Sequence, residues 1–150
     1  MNLKEKINEN LKKAMLAKDE ARVTTLRGLK SAILDVEVAT NMREQGLPDD
    51  EIEKIVAREL KKRKESYEIY TNNGRNDLAD AEKYEIEVLN EYLPKQLSED
   101  ELREKIEEIV AGLDDGIPIN MGMLIGKVKN SVGSAADGAM IAKLVKEKIG

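Results

Sequence analysis

A chain of 150 residues has room for one domain or two small ones, and with 37% charged and 41% apolar residues it is heavily solvated yet able to bury a core. Aromatics are only 3%, four Tyr with no Phe or Trp, so a core must be built of Leu, Ile, Val, Ala and Met. The net charge is −5, and with no Cys and no His the chain excludes disulfides, Cys/His zinc sites and Ser-His or Cys-His nucleophilic pairs.

The apolar periodicity is helical almost from end to end. Leu3, Ile7, Leu11 and Ala14 stripe a first helix. Its sequence, "MNLKEKINENLKKAML", is charged throughout and shows no apolar block of a secretory leader. Nothing approaches the roughly 20 apolar residues of a membrane span, so the expectation is a cytoplasmic location with no membrane partner. After "AKDEA", Leu26, Leu29, Ile33 and Val36 stripe a second helix. Gly46 and Pro48 stop that pattern, and Asp49 is the expected N-cap of a long third helix. Its stripe reads Ile52, Val56, Leu60, Arg63, Tyr67 and Tyr70, and it ends at "TNNGR", where Gly74 suits a left-handed C-cap position. A fourth helix runs from about Asn76 to Tyr92.

Next comes "EYLPKQLSEDEL". Pro94 cannot donate into a helix and pushes Leu93 out of helical space. Ser98 to Glu101 reads S-x-x-E, a capping box, with Leu97 and Leu102 placed for a hydrophobic staple. This is the sharpest boundary in the chain. The predicted organisation is all-α: a helical subdomain of about four helices over 1–95, then a small three-helix subdomain over 96–150. The three helices fall at about 98–112, 120–132 and 138–149, with "GLDDGIP" separating the first two.

Charge is unevenly spread. Residues 98–116 carry eight acids against two bases, a net of −6, whereas 120–150 carry five lysines against two acids, a net of +3. An acidic protein can therefore still present a basic face. The densest basic run, "RELKKRKESYEIY" at 58–70, is interleaved with glutamates and reads more readily as a solvated face than as a phosphate-binding ridge. Arg63 falls inside an apolar stripe, where a charge needs a partner. Glu82 and Glu85 sit in the middle of the facing stripe of the fourth helix. An ion pair that fixes helix register is favoured over general acid/base chemistry, because no nucleophile or phosphate loop accompanies the acids.

In "NMGMLIGKVKN", Gly122 and Gly126 lie four apart on a short helix. Each costs about 1 kcal/mol of helix stability relative to Ala, so close approach of something to the backbone is implied. That something is either a neighbouring helix or a sugar-phosphate backbone, with Lys129 bordering the same face. Downstream, "VGSAADG" could be an anion-binding loop or a joint. Helix N-termini attract anions, but Asp137 stands at the N-cap before Gly138 and supplies an anion of its own. The joint is the better reading.

The strings "TLRGLKSAILDVEV", "NGRNDLADAEKYEIEVLNEYLPKQLSEDEL" and "MGMLIGKVKNSVGSAADGAMIAKLV" resemble, in content and order, the motifs of the YqeY-like proteins, over nearly the whole chain. That resemblance implies kinship with the C-terminal tail of GatB, a subunit of the glutamine-dependent amidotransferase that corrects mischarged tRNA, and with a domain appended to some glutaminyl-tRNA synthetases. It implies a larger helical N-terminal part, a three-helix C-terminal part, and a tRNA-handling role without the amidotransferase chemistry. A carbon–nitrogen ligase label can be inherited through that kinship. In many relatives a basic residue stands two before the Asp of Ala-Asp-Gly; here Ala135 does, with Gly133 one place earlier than usual.

The expected function is a non-catalytic tRNA- or RNA-binding accessory protein, with no cofactor, no metal and no catalytic residue. Its contact face would comprise Gly122, Gly126 and chiefly Lys129, with Lys127, Lys143 and Lys146. The acidic helix would face away from the RNA. Arg63, Glu82, Glu85, Pro94, Ser98, Asp137 and Gly138 are expected to be structural. The alternative is a protein-interaction module docking on an aminoacyl-tRNA-linked enzyme through apolar or acidic helix faces. The sequence leaves the oligomeric state open.

Overall fold

The computed structural model of the chain describes residues 1–116 and 118–150; Ile117, inside the "GLDDGIP" separator, lies outside the described residues. The described residues form helices and no strand, the all-α class. Helix α1 spans Leu3–Leu16, α2 Glu20–Ala39, α3 Asp49–Asn72 and α4 Asn76–Asn90. Helix α5 spans Glu99–Ala111, α6 Met121–Val132 and α7 Gly138–Ile149, with a 3-10 turn at Gly133–Ala135 before α7. The chain divides into two compact units, Met1–Leu93 and Pro94–Gly150.

In the N-terminal unit the stripes of α1 to α4 meet in one core, with Ile7, Leu26, Leu29, Ile52, Val56, Leu89 and Tyr92 among its buried residues. Polar side chains tie the helices together around that core. Asp19 caps α2 by accepting from Arg22 N, and also accepts from the Tyr84 hydroxyl of α4 at 3.1 Å. Burial and that hydrogen bond push the Tyr84 phenol above its ordinary pKa. Asn10 of α1 donates to the Tyr92 hydroxyl at 2.8 Å. Burial works against the Arg22 charge, but Glu91, 2.8 Å away, outweighs it and raises the guanidinium pKa.

Two expectations change in detail. Pro48, not Asp49, occupies the N-cap position of α3 and makes no side-chain cap. The Asp49 carboxylate instead accepts from Leu3 N at 2.9 Å and so tethers the start of α1. Helix α4 stops at Asn90, before Tyr92. Gly74 does adopt a left-handed φ of +72° after α3.

The C-terminal unit is simpler. Its core is aliphatic throughout: Leu102 and Ile106 from α5, Leu124 and Val128 from α6, Ile141, Leu144 and Val145 from α7. Ser98 accepts from Glu101 N at 3.1 Å while the Glu101 carboxylate accepts from Ser98 N at 3.2 Å, a complete capping box. Leu97 packs against the core beside Leu102.

Candidate nucleic-acid interface

An α-helix turns about 100° per residue, so Leu124 and Val128 define one side of α6 and whatever lies opposite them faces water. Both are fully buried. Gly122, Gly126 and Lys129 fall within about 60° of one another on the opposite side, and all three are exposed. A Cβ placed on Gly126 meets nothing within 4 Å, and one on Gly122 meets only its neighbour Asn120 Oδ1, at 3.6 Å. Among the described residues no neighbouring helix lies against these glycines, which removes one of the two reasons the sequence allowed for them. The face is open over Gly126.

Lys129 closes the face at its C-terminal end. Its side chain lies against the first turn of α7, with Cε and Nζ each 3.7 Å from where a Cβ would stand on Gly138. Gly138 leaves that ground free for the lysine stem. Among the described residues Lys129, Lys127 and Lys146 have no acid within 4.0 Å.

The other lysines do not join this face as a single patch. Positions two apart on a helix point away from each other, so Lys127 stands on the far side of α6 from Lys129. Lys143 is 3.1 Å from Glu99 of α5, so this lysine is paired with the acidic helix. Hydrogen bonding to Lys143, with Lys143 and Arg103 charges nearby, holds the Glu99 carboxyl below its ordinary pKa. Arg103 also reaches Glu147 of α7 at 3.3 Å, so α5 and α7 are cross-linked by charge. Lys146 is exposed on α7.

The Gly133–Asp137 segment is a joint. Gly133 takes a positive φ of +54° at the end of α6. Ser134 O accepts from Gln96 Nε2 at 2.9 Å and Ala135 O accepts from Leu97 N at 2.8 Å. Asp137 Oδ1 accepts from Ala139 N at 2.6 Å and Met140 N at 3.0 Å. The free N–H groups at the head of α7 are therefore taken by the protein's own carboxylate.

In the N-terminal unit Arg63 reaches both facing acids, Glu82 at 3.3 Å and Glu85 at 3.4 Å. The basic run of α3 is solvated: Arg58, Lys61 and Lys62 are exposed, and Lys62 lies 3.6 Å from Glu59. Tyr67 and Tyr70 are half-buried. Among the described residues no cluster of three or more acidic side chains is arranged to hold a metal ion. One internal charge was missed from the sequence. Glu37 is 2% exposed, lies 2.8 Å from Lys4, and accepts from Leu47 N at 3.1 Å. Its signal was available: it follows Ile33 by four residues in the apolar stripe of α2.

The fold and this face define a two-unit helical protein whose C-terminal unit carries an uncovered glycine-lysine surface. The chain belongs to the Yqey-like protein family, whose model matches residues 4–149. It is similar to the Altered inheritance of mitochondria protein 41, mitochondrial, of Lachancea thermotolerans, with 33% identity over 75% of this chain and 60% of the relative. The protein of the same name from Kluyveromyces lactis is 32% identical over 81% of this chain and 66% of its own length. That from Pyrenophora tritici-repentis is 25% identical over 97% and 80%. The chain thus spans three fifths to just under two thirds of the first two relatives. These names overturn the expected cytoplasmic location, since the relatives are mitochondrial proteins. That expectation rested on the lack of an apolar block. Among the described residues no helix is long and apolar enough to cross a membrane, but that property does not distinguish one compartment from another.

Proposed function

We propose that this protein is a non-catalytic tRNA- or RNA-binding accessory protein that receives a sugar-phosphate backbone on the Gly122–Gly126–Lys129 face of α6. The observation that carries the reading is the open space over Gly126. A glycine inside a helix costs about 1 kcal/mol relative to Ala, and no packing within the protein explains that cost here. Removing Cβ lets an extended backbone lie close to the helix, and Lys129 supplies the counter-charge for a phosphate. Lys146 and Lys127 add to the general field. Lys143 contributes less, because Glu99 neutralises it. With one principal cation, affinity is weak alone and falls modestly with salt, as for release of about one counterion. The kinship with the GatB tail supports tRNA as the nucleic acid and the absence of amidotransferase chemistry in this chain.

Filter binding against total tRNA at two salt concentrations tests the reading. Binding at low salt, weakened by Lys129→Ala and nearly unchanged by Lys143→Ala, is the expected result. No retention of tRNA at low salt overturns it for the isolated protein.

A further inference from the structure

A cavity lies within the N-terminal unit, between α1, α2 and the loop that follows α2. Its volume is about 410 Å³, the size of sites that take a ligand or a few side chains. Ile7 and Ile33 form an apolar floor. Leu34, 41% exposed, lines the cavity too, and Val38, one turn further along α2 and 56% exposed, carries the apolar surface past it. The surrounding charge is positive. Lys4 is already matched by Glu37, and Gly46, at φ +74°, folds the loop over that pair. A Cβ on Gly46 would stand 3.6 Å from both Glu37 Oε2 and Lys4 Nζ. Lys30 and Arg43 line the same cavity, are exposed, and have no acid within 4.0 Å among the described residues. Asn8 lines it too, and its Oδ1 is buried with no hydrogen-bond partner, a state that buried acceptors seldom keep.

We propose that this groove binds an acidic, apolar-bearing peptide segment of a partner protein. A Glu or Asp side chain meets Lys30 and Arg43, a Leu- or Ile-type side chain enters over Ile7 and Ile33, and an N–H is donated toward Asn8. A polypeptide fits better than a compact small molecule because the apolar surface runs past the cavity to the exposed Val38, one turn beyond Leu34. It fits better than nucleic acid because the floor is aliphatic and offers no aromatic ring for a base to stack on. The proposal does not depend on the RNA-binding reading, which concerns the other unit.

Peptide-display selection with the full chain tests it. Wild-type protein should enrich sequences that combine Asp or Glu with Leu or Ile. A synthetic peptide of the consensus should bind about tenfold more weakly to a Lys30→Glu/Arg43→Glu variant, as for loss of two exposed charge contacts. It should also weaken on Leu34→Ser. All three positions are exposed, and circular dichroism checks that the variants stay folded. The proposal is overturned if selection enriches no acidic class or if the double variant binds the consensus as well as wild type. Displacement of the peptide by total tRNA also overturns it, since the groove would then be a nucleic-acid site.

Discussion

The two units hold themselves together in different ways. The N-terminal unit threads polar pairs through its helix contacts: Lys4 with Glu37, Arg22 with Glu91, Arg63 with Glu82 and Glu85, Tyr84 with Asp19 and Asn10 with Tyr92. The C-terminal unit has an aliphatic core and keeps its polar contacts at helix ends and on the surface. Polar pairs fix which helices meet and in what register. A small aliphatic core with capped ends fixes a compact shape and leaves the outer faces free.

The largest effect should come from the small core. Leu124→Ala deletes a fully buried side chain and should cost about 3 kcal/mol. Hydrogen exchange should show faster opening of amides in residues 94–150 and little change in α1–α4. Equal loss of protection in both units would mean that they do not unfold separately. Next in size is Glu37→Ala, which strands Leu47 N–H and frees Lys4. Lys4 is 38% exposed and can recover water, so the loss should be about 2 kcal/mol rather than that of a fully buried broken pair. A urea midpoint identical to wild type would show that the buried carboxylate is not holding the loop. Asp137→Ala should cost about 1 kcal/mol, the usual value of a lost N-cap, with tRNA binding retained. Loss of binding without loss of stability would make the loop the site.

The smallest effect is set by pH. Backbone and side-chain hydrogen bonds with Ser98 hold the Glu101 carboxyl below its ordinary pKa, and Lys143 does the same for Glu99. Unfolded glutamate titrates near about 4.3. A depressed folded value therefore gives stability that is present above that pH and is lost as pH falls through the folded values. Unfolding of residues 94–150 should become easier between about pH 5 and pH 3, and Glu99→Gln/Glu101→Gln should flatten the dependence. An unchanged slope in the double variant would assign the acid sensitivity to other carboxylates.

Much of the fold was legible because its signals are local. Ser98 and Glu101 specify a cap within four residues, Pro94 cannot sit in a helix interior, and the 3.6-residue stripes show which sides meet. Asp49 misled because a carboxylate at a helix start can equally well accept from a distant chain start, and only the fold brings Leu3 N to it. Glu37 was visible as an acid in an apolar stripe, but its partner was not, because Lys4 lies 33 residues away and only the fold brings it there. The glycine pair was legible as an oddity, but whether another helix covered it depended on packing. Lys127, Lys129 and Lys143 looked alike as charges, and the geometry of α6 and the position of Glu99 separate them.

The most direct measurement is Gly126→Ala, with Gly28→Ala as its counterpart in α2. A Cβ at either position meets nothing within 4 Å, so each substitution should raise stability by up to about 1 kcal/mol. If α6 receives a sugar-phosphate backbone, Gly126→Ala should be more stable than wild type and bind tRNA several-fold more weakly, while Gly28→Ala gains stability and binds as before. Equal tRNA binding by wild type and Gly126→Ala would contradict the assignment of that face.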